Sequence, residues 1–587
     1  MLERLSSVFS RPWIYCALII VKAAFAWSLV FGGTLPGNDD YMRFAQVSDL
    51  LQGQDWFDTD QSRYASPEGG DIHWSRLPDL GVVALYYPAR VFAGHEQSLY
   101  FAALMWPTML FCGLIAVFVS FLRKLEAGPV AIAFGVLIVV SSYAGAQFQP
   151  GRIDHHGLVM LFGFLSLRLI LERSIWTAFL AALLSAAMVS IAIEALPFVF
   201  SILVVFGLLW VLDPETQHDR FVRFGAGLAF GATVFYFLDA PGLNAVERAV
   251  CDAYGAGHAR ALILGGLGLA SLGALKRVAP WSLDHPVKRL GAGVVIGAIG
   301  AGGLAIAAPY CLSSPYDLPE VVTEQWLSRV AEAMSLPRDL EANGARSVAR
   351  YLVPILSLLA GLWWATRVSD AKRRVLIVIL IPMLVSILSG VWQVRGLTPA
   401  LVFAAIPAAV IFSDGFTAWR RKGGSQPLLK AFLAAALLAP FLPQAVAGRI
   451  SPRNVPAPLN SQGTLASCAT AEALQPLANL PAGIVFAEVD LGAKLLHFTP
   501  HSMVVAPYHR NAGGIAAYYE AFGAETDRAF LSVLERSNVD YLVVCDNGRT
   551  QGLENSPLKV RLATGGSVEG LTPIQIEDTP IRIFRVE

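Results

Sequence analysis

Charge is scarce in this chain. Only 15% of its 587 residues are charged, against 55% hydrophobic, and the mean hydropathy is +0.54. A soluble globular protein cannot bury that much apolar surface, which excludes that class and leaves a polytopic α-helical membrane protein. The 44 basic and 44 acidic residues cancel, and the missing basic excess argues against nucleic acid as a partner. Cysteine is sparse too. The six cysteines form no CxxC, so neither a zinc ribbon nor a thioredoxin-like site is signalled. No internal repeat of the kind seen in secondary transporters is present. Lys22 is the one clear charge in the middle of an apolar run. It reads as snorkelling or facing the bundle, with no role assigned.

About thirteen apolar runs reach or approach spanning length, from roughly 13–33 to 429–446. The first is too long for a secretory signal and reads as an uncleaved helix. With the N-terminus in the cytoplasm, the alternate inner segments collect most loop cations, among them Arg4, Arg11, Arg123, Lys124, Lys288, Arg289, Lys372, Arg373, Arg420 and Arg421. The short outer loops hold only Arg152, Arg248 and Arg395, with Arg260 at the edge of a span. This bias orients the chain. It puts two long loops, 34–97 and 310–349, and everything after about residue 450 on the outer face. Residues 1–449 thus form the membrane part. Residues 450–587 alternate strand-like and helix-like segments and read as a soluble α/β domain. Cys468 and Cys545 both lie in that domain, where an oxidising compartment would allow a disulfide.

Ionisable residues gather at the outer helix ends. Gly37-Asn38-Asp39-Asp40-Tyr41 follows the first span, either as a helix cap or as a functional acid pair. Arg152-Ile153-Asp154-His155-His156 lies between the third and fourth runs, and its Asp and His residues suit either capping or a divalent metal. Glu320, Glu324 and Glu332 lie in the second long loop, on a solvated face or facing a site. Arg395 ends the eleventh run as a headgroup anchor or a phosphate clamp. In the tail, Asp490 follows one strand, and Tyr508, His509, Arg510 and Asn511 follow the next. Ligands of α/β domains bind at such strand ends.

The order of these features resembles the GT-C glycosyltransferases and, more narrowly, the catalytic subunit of oligosaccharyltransferases. The resemblance runs through short motifs over nearly the whole chain. The stretch 37–41 is similar to that family's first acidic motif, Asp154-His155-His156 to its second, Val321-Val322-Thr323-Glu324 to its fifth-loop motif, and Arg395 to its arginine. Glu488-Val489-Asp490-Leu491-Gly492 approaches its acceptor motif without the paired tryptophans, and histidines replace the second carboxylate of the second motif. The chain also resembles a set of alphaproteobacterial membrane proteins with Arg-Ile-Asp-His-His and Pro-Tyr-His-Arg-Asn motifs.

The resemblance implies a GT-C fold of thirteen transmembrane helices with a C-terminal periplasmic α/β domain, in the bacterial inner membrane. It implies transfer of a sugar or oligosaccharide from a polyprenyl phosphate or diphosphate donor to an envelope acceptor, whether lipid, glycan or protein. A departing phosphate gathers charge, which cations must meet. The expected roles follow. Asp39 and Asp40 are catalytic. Asp39, Asp154, His155, His156 and Glu324 bind a divalent metal, Mg or Mn. Arg152, Arg395, His509 and Arg510 hold donor phosphate, and Asp490, Tyr508 and Asn511 hold acceptor. A transporter or flippase of lipid-linked or small polar substrates is the alternative. It would need charges along a path through the spans, and the charges here cluster at one face.

Overall fold

A computed structural model describes residues 11–65, 67, 69–239, 251–307, 309–312, 316, 318–450, 468–545, 553, 556–576 and 579–587. Arg4 and Arg248 lie outside the described residues, as does the start of the tail, 451–467. The chain is a multi-pass membrane protein built mainly of helices. Seven described helices are long and apolar enough to cross a membrane: His95–Lys124, Ile193–Leu212, Pro214–Leu238, Ala256–Leu275, Ala345–Ala365, Asp370–Trp392 and Val394–Arg421. Pro12–Phe25, Pro129–Ser141, His156–Ile170 and Ile175–Ile191 are apolar but shorter. The first apolar run divides at Ala26 into Pro12–Phe25 and Trp27–Phe31, and the third is interrupted after Ser141, so these runs give helices below full spanning length. The helices pack through one large apolar core that includes Phe118, Phe164, Phe206, Met383 and Phe403. Leu18, Phe200, Trp363 and Leu388 remain exposed on their outer surfaces, as lipid-facing positions require. Lys22 is exposed as well, on the outside of its helix rather than toward the bundle.

Helix starts follow local chemistry. Ser174 accepts from the Trp176 amide, and Asp213, followed by Pro214, accepts from Thr216. The first long loop is largely structured. It contains helix Asn38–Leu51, a short antiparallel hairpin of β1 (Asp60–Gln61) and β2 (Gly70–Asp71), and helix Asp79–Arg90.

The tail carries β3 (Ile484–Phe486), β4 (Ser502–Met503), β5 (Tyr541–Cys545), β6 (Leu571–Ile574) and β7 (Ile581–Val586). They form one mixed sheet in the order β4-β3-β5-β7-β6, parallel from β4 to β5 and antiparallel beyond. Strand β6, with a proline at its third position, carries no strong sequence signal. The sheet divides two cores. Phe486, Leu542 and Val544 pack with helices Ala512–Phe522 and Asp527–Arg536 and with Val322 of the second long loop. Val485, Tyr541 and Val543 share a second core with Tyr41, Met42, Phe44 and Val82 of the first loop. The tail is therefore seated on both long loops. Disulfides join Cys468 to Cys545, and Cys251 to Cys311. The pairing of Cys251 with Cys311, 60 residues apart, carries no sequence signal.

Candidate functional site

Helix ends and the tail enclose a cavity of about 490 Å³. Asp39, His155, His156, Glu194, Arg395 and Glu332 line one part of it; His73, Asp252, Tyr316, Tyr508 and His509 also face it. Trp326, Leu327 and Val330 add an apolar wall.

Helix Asn38–Leu51 starts at Gly37, and no side chain caps it. The capping role open to the acid pair is therefore not the one it takes. Asp39 faces the cavity. Asp40 is fully buried, and its Oδ1 accepts from the Asp154 amide at 3.1 Å. Arg152 bridges the two loops, with Nη2 at 2.8 Å from Asp154 Oδ2 and Nη1 at 3.7 Å from Asp40 Oδ2. Its guanidinium is thus engaged by carboxylates behind the cavity wall. Asp154 closes a local turn instead: its Oδ1 accepts from the His156 amide at 3.0 Å, just before helix His156–Ile170, whose N-cap is His155.

Burial drives the titration of these acids. It pushes Asp39 up to about 7, with Glu332 and Asp154 adding to the rise and Arg152 and His156 opposing it. It pushes Asp40 up to about 8 against the pull of Arg152. At Asp154 burial acts in the same direction, but Arg152 and the two histidines override it and hold the carboxyl below its usual value.

Glu194 is the hub of the next cluster. Its Oε1 is 3.3 Å from His155 Nε2 and 3.1 Å from His156 Nδ1, and its Oε2 is 2.5 Å from Arg395 Nη1. Arg395 also donates to Gln393 Oε1 at 3.0 Å and to the Tyr316 hydroxyl at 3.4 Å. Its own amide donates to the Glu332 carbonyl at 3.1 Å, which ties the second long loop to the helix end. Potential ligand atoms of His155, His156 and Glu194 lie within 4.8 Å of one another. Two imidazoles and a carboxylate, with Asp39 facing the same space, are a donor set that fits a divalent metal.

Other expected site residues fall elsewhere. Glu324 is exposed and does not line the cavity; Glu332, eight residues on, does. The helix Glu320–Gln325 ends at Trp326, so the periodicity that relates the two acids does not continue to Glu332. Asp490 accepts from the Asn38 side chain at 3.0 Å, and the Tyr508 hydroxyl donates to the Asn38 carbonyl at 3.0 Å. Both bind the tail to the start of the acidic helix, and Tyr508 lines the cavity as well. Asn511 caps helix Ala512–Phe522 by accepting from Gly514 N at 3.2 Å, and it donates to the Val504 carbonyl at 2.9 Å. His509 Nε2 shares a hydrogen bond with Asp252 Oδ2 across 2.7 Å. Arg510 grips the same carboxylate through Nε at 2.8 Å and Nη2 at 3.0 Å, and also pairs with Asp71.

The sequence pattern alone does not single out Glu194, His73 or Asp252. Glu194 has a signal that could have found it: it is a lone acid between two apolar runs, and such an acid is a functional candidate by default. Nothing in the sequence marks His73 or Asp252.

The chain matches no protein-family model and no curated protein. Solved structures are similar. The oligosaccharyltransferase AglB of Archaeoglobus fulgidus, in complex with an inhibitory peptide and a dolichol-phosphate, superposes with a TM-score of 0.64 at 14% identity, over 93% of this chain and 72% of that one. The chain has the GT-C fold of that oligosaccharyltransferase. An Archaeoglobus fulgidus oligosaccharyltransferase complex with Zn and sulfate gives 0.59 at 14%, over 92% and 68%. The same enzyme tethered to an acceptor peptide with the NVT sequon gives 0.59 at 13%, over 91% and 69%.

Proposed function

We propose that this GT-C protein is a membrane glycosyltransferase that moves a sugar or oligosaccharide from a polyprenyl phosphate or diphosphate to an envelope acceptor at the periplasmic face of a bacterial inner membrane. Residues 1–449 form its membrane part and residues 450–587 its periplasmic α/β domain. One observation carries the reading: Asp39, His155, His156, Glu194 and Arg395 converge on one cavity at the helix ends. A lipid-borne phosphate reaches that level while its tail stays in the bilayer. The structural neighbours, which hold dolichol-phosphate in one complex and an acceptor peptide in another, support it.

In the reaction the acceptor's nucleophilic atom bonds to the anomeric carbon as the bond from that carbon to phosphate oxygen breaks. The bonding electrons leave with the phosphate. Asp39 accepts the acceptor's proton, and a carboxyl lifted to about 7 is well matched to that task near neutral pH. Arg395 stands where the departing phosphate needs a cation. His155, His156 and Glu194 would hold a divalent metal, which would supply Lewis-acid stabilisation of the phosphate charge, while Asp39 stays off the metal as the base. Asp40, walled off behind Asp39, is a positioning residue that holds the Asp154 loop in place.

The test uses the full chain in lipid nanodiscs with a radiolabelled polyprenyl-linked sugar and an envelope extract as acceptor. Asp39→Asn is expected to reduce transfer by more than about 100-fold while the protein stays folded. Transfer at the wild-type rate by the variant overturns the assignment. Solute movement by the wild type in vesicles without donor consumption overturns the enzyme reading and supports a transporter.

A further inference from the structure

A second side-chain cluster faces the same cavity from other parts of the chain. His73 comes from the first long loop, just past β2. Asp252 stands beside the Cys251–Cys311 disulfide. His509 opens a short helical turn after β4. One ligand atom from each lies within 4.8 Å of the others. The His73 and His509 rings are 4.5 Å apart and tilted at 57°, so neither is stacked flat against the other. His509 Nε2 already meets Asp252 Oδ2 at 2.7 Å. Among the described residues the His73 ring makes ring contacts, with His509 and Trp74, and no hydrogen bond.

We propose that His73, Asp252 and His509 form a zinc-class metal site, separate from the cluster of His155, His156 and Glu194. Two imidazoles and one carboxylate are the three protein ligands of an open, substrate-accessible zinc site, and imidazole selects against magnesium and calcium. The fourth position opens on the cavity, where water or a substrate oxygen completes the coordination. The surroundings provide a second layer. Arg510 fixes Asp252 by two hydrogen bonds and is itself paired with Asp71. Outer partners of this kind orient ligating carboxylates. On loading, a bond from each to the ion replaces the hydrogen bond between His509 Nε2 and Asp252. The proton that lay between them passes to solvent or, by tautomerisation, to His509 Nδ1. The disulfide beside Asp252 and the tail behind His509 hold two of the ligands in place.

The metal site and glycosyl transfer fail separately, because zinc is counted without donor or acceptor. The purified full chain is stripped with chelator and titrated with Zn²⁺ against a chromogenic competitor. Bound zinc is counted by elemental mass spectrometry, and folding is monitored by thermal melting. His73→Gln removes no hydrogen bond to a described residue, so its fold is retained even if that of Asp252→Asn is not. The wild type is expected to hold a zinc equivalent that His73→Gln and His509→Gln each weaken by more than about 100-fold, since loss of an outer partner alone costs about 10- to 100-fold. Arg510→Lys is expected to fall within that smaller range. Zinc held by His155, His156 and Glu194 is counted as a second equivalent, and His156→Gln weakens that one while keeping the equivalent that His73→Gln loses. Undiminished zinc in both His73→Gln and His509→Gln overturns the site, as does zinc that disappears only in His156→Gln.

Discussion

Helix Asn38–Leu51 carries two buried ionic clusters one turn apart, and they are built for different ends. Around Arg43 the charges are closed off. Arg43 Nη1 reaches Asp79 Oδ1 at 2.5 Å and the Ser75 carbonyl at 3.2 Å, and its guanidinium lies 5.1 Å from the Trp74 ring centroid. Arg76 approaches Asp79 at 3.6 Å and donates to the carbonyls of Gln46 and Asp58. Both partners of the pair between Arg43 and Asp79 are 1% exposed. Around Asp39 the charges open on a cavity. The same residue types thus hold a loop together in one place and leave up-shifted acids in the other. A closed pair serves structure, whereas an open cluster with displaced titration makes a candidate site.

The largest effects come from exchanging one acid in each cluster. Asp79→Asn leaves Arg43 and Arg76 buried without their anion, a loss of about 3–5 kcal/mol. Thermal melting is expected to show a strongly destabilised protein, and whatever transfer survives tracks the folded fraction. Asp39→Asn is expected to do the reverse, with transfer lost and the melting transition kept. If Asp79→Asn melts like the wild type, or if Asp39→Asn loses transfer only in proportion to unfolding, the contrast between the clusters fails.

A smaller effect separates the two glutamates of the second long loop. Glu332 lines the cavity and helps raise Asp39, whereas Glu324 is exposed. Glu332→Gln is expected to lower transfer by about 10-fold, somewhat less than loss of a donor aimed directly at the reacting atoms. Glu324→Gln is expected to stay within about twofold, as exposed substitutions away from a site do. Loss of transfer in Glu324→Gln alone would show that the loop closes differently when substrate is bound.

Much of this arrangement was legible in the sequence, for reasons that also mark where legibility ended. The apolar runs and the cation bias follow from the bilayer, which acts on every residue alike, so the helical class could be read. The tail's strands β3, β4, β5 and β7 were visible because β-branched and other apolar residues concentrate there; β6, interrupted by proline, was not. Asp39, His155, His156 and Arg395 could be nominated because they stand at helix ends where an apolar chain has no need of charge. Asp252 and His73 could not. Their meaning comes from His509, which is 257 residues beyond Asp252, and only folding brings the three together. Glu324 stood out over Glu332 through its place in Val321-Val322-Thr323-Glu324, and a shared helical face cannot carry on to Glu332, because the helix ends at Trp326. Asp490 and Asn511 have the residue types of a binding loop, but their polar atoms are occupied by Asn38 and by the start of a helix.

The smallest expected effect concerns the stability of the open cluster itself. The folded protein holds Asp39 at about 7, above the ordinary carboxyl value of about 3.9. A carboxyl raised by folding favours the folded state when protonated. Its contribution is fully present below about pH 4 and is lost as pH rises through about 7. Above that pH the fold carries a charge that burial and Glu332 disfavour. Asparagine cannot ionise, so Asp39→Asn escapes this penalty, although it gives up the attraction of Arg152 and His156. The net gain in melting temperature at pH 8, with metal chelated, is expected to be a few °C, since a carboxyl lifted from about 3.9 to about 7 is worth about 4 kcal/mol and 1 kcal/mol shifts the midpoint by less than about 2 °C in so long a chain. It should shrink to nothing at pH 4. Transfer by the wild type should run the opposite way, falling as pH drops through about 7 and the base becomes protonated. A melting difference that grows toward acid would mean that Asp39 is held ionised by its neighbours, and would move it from the open cluster to the closed kind.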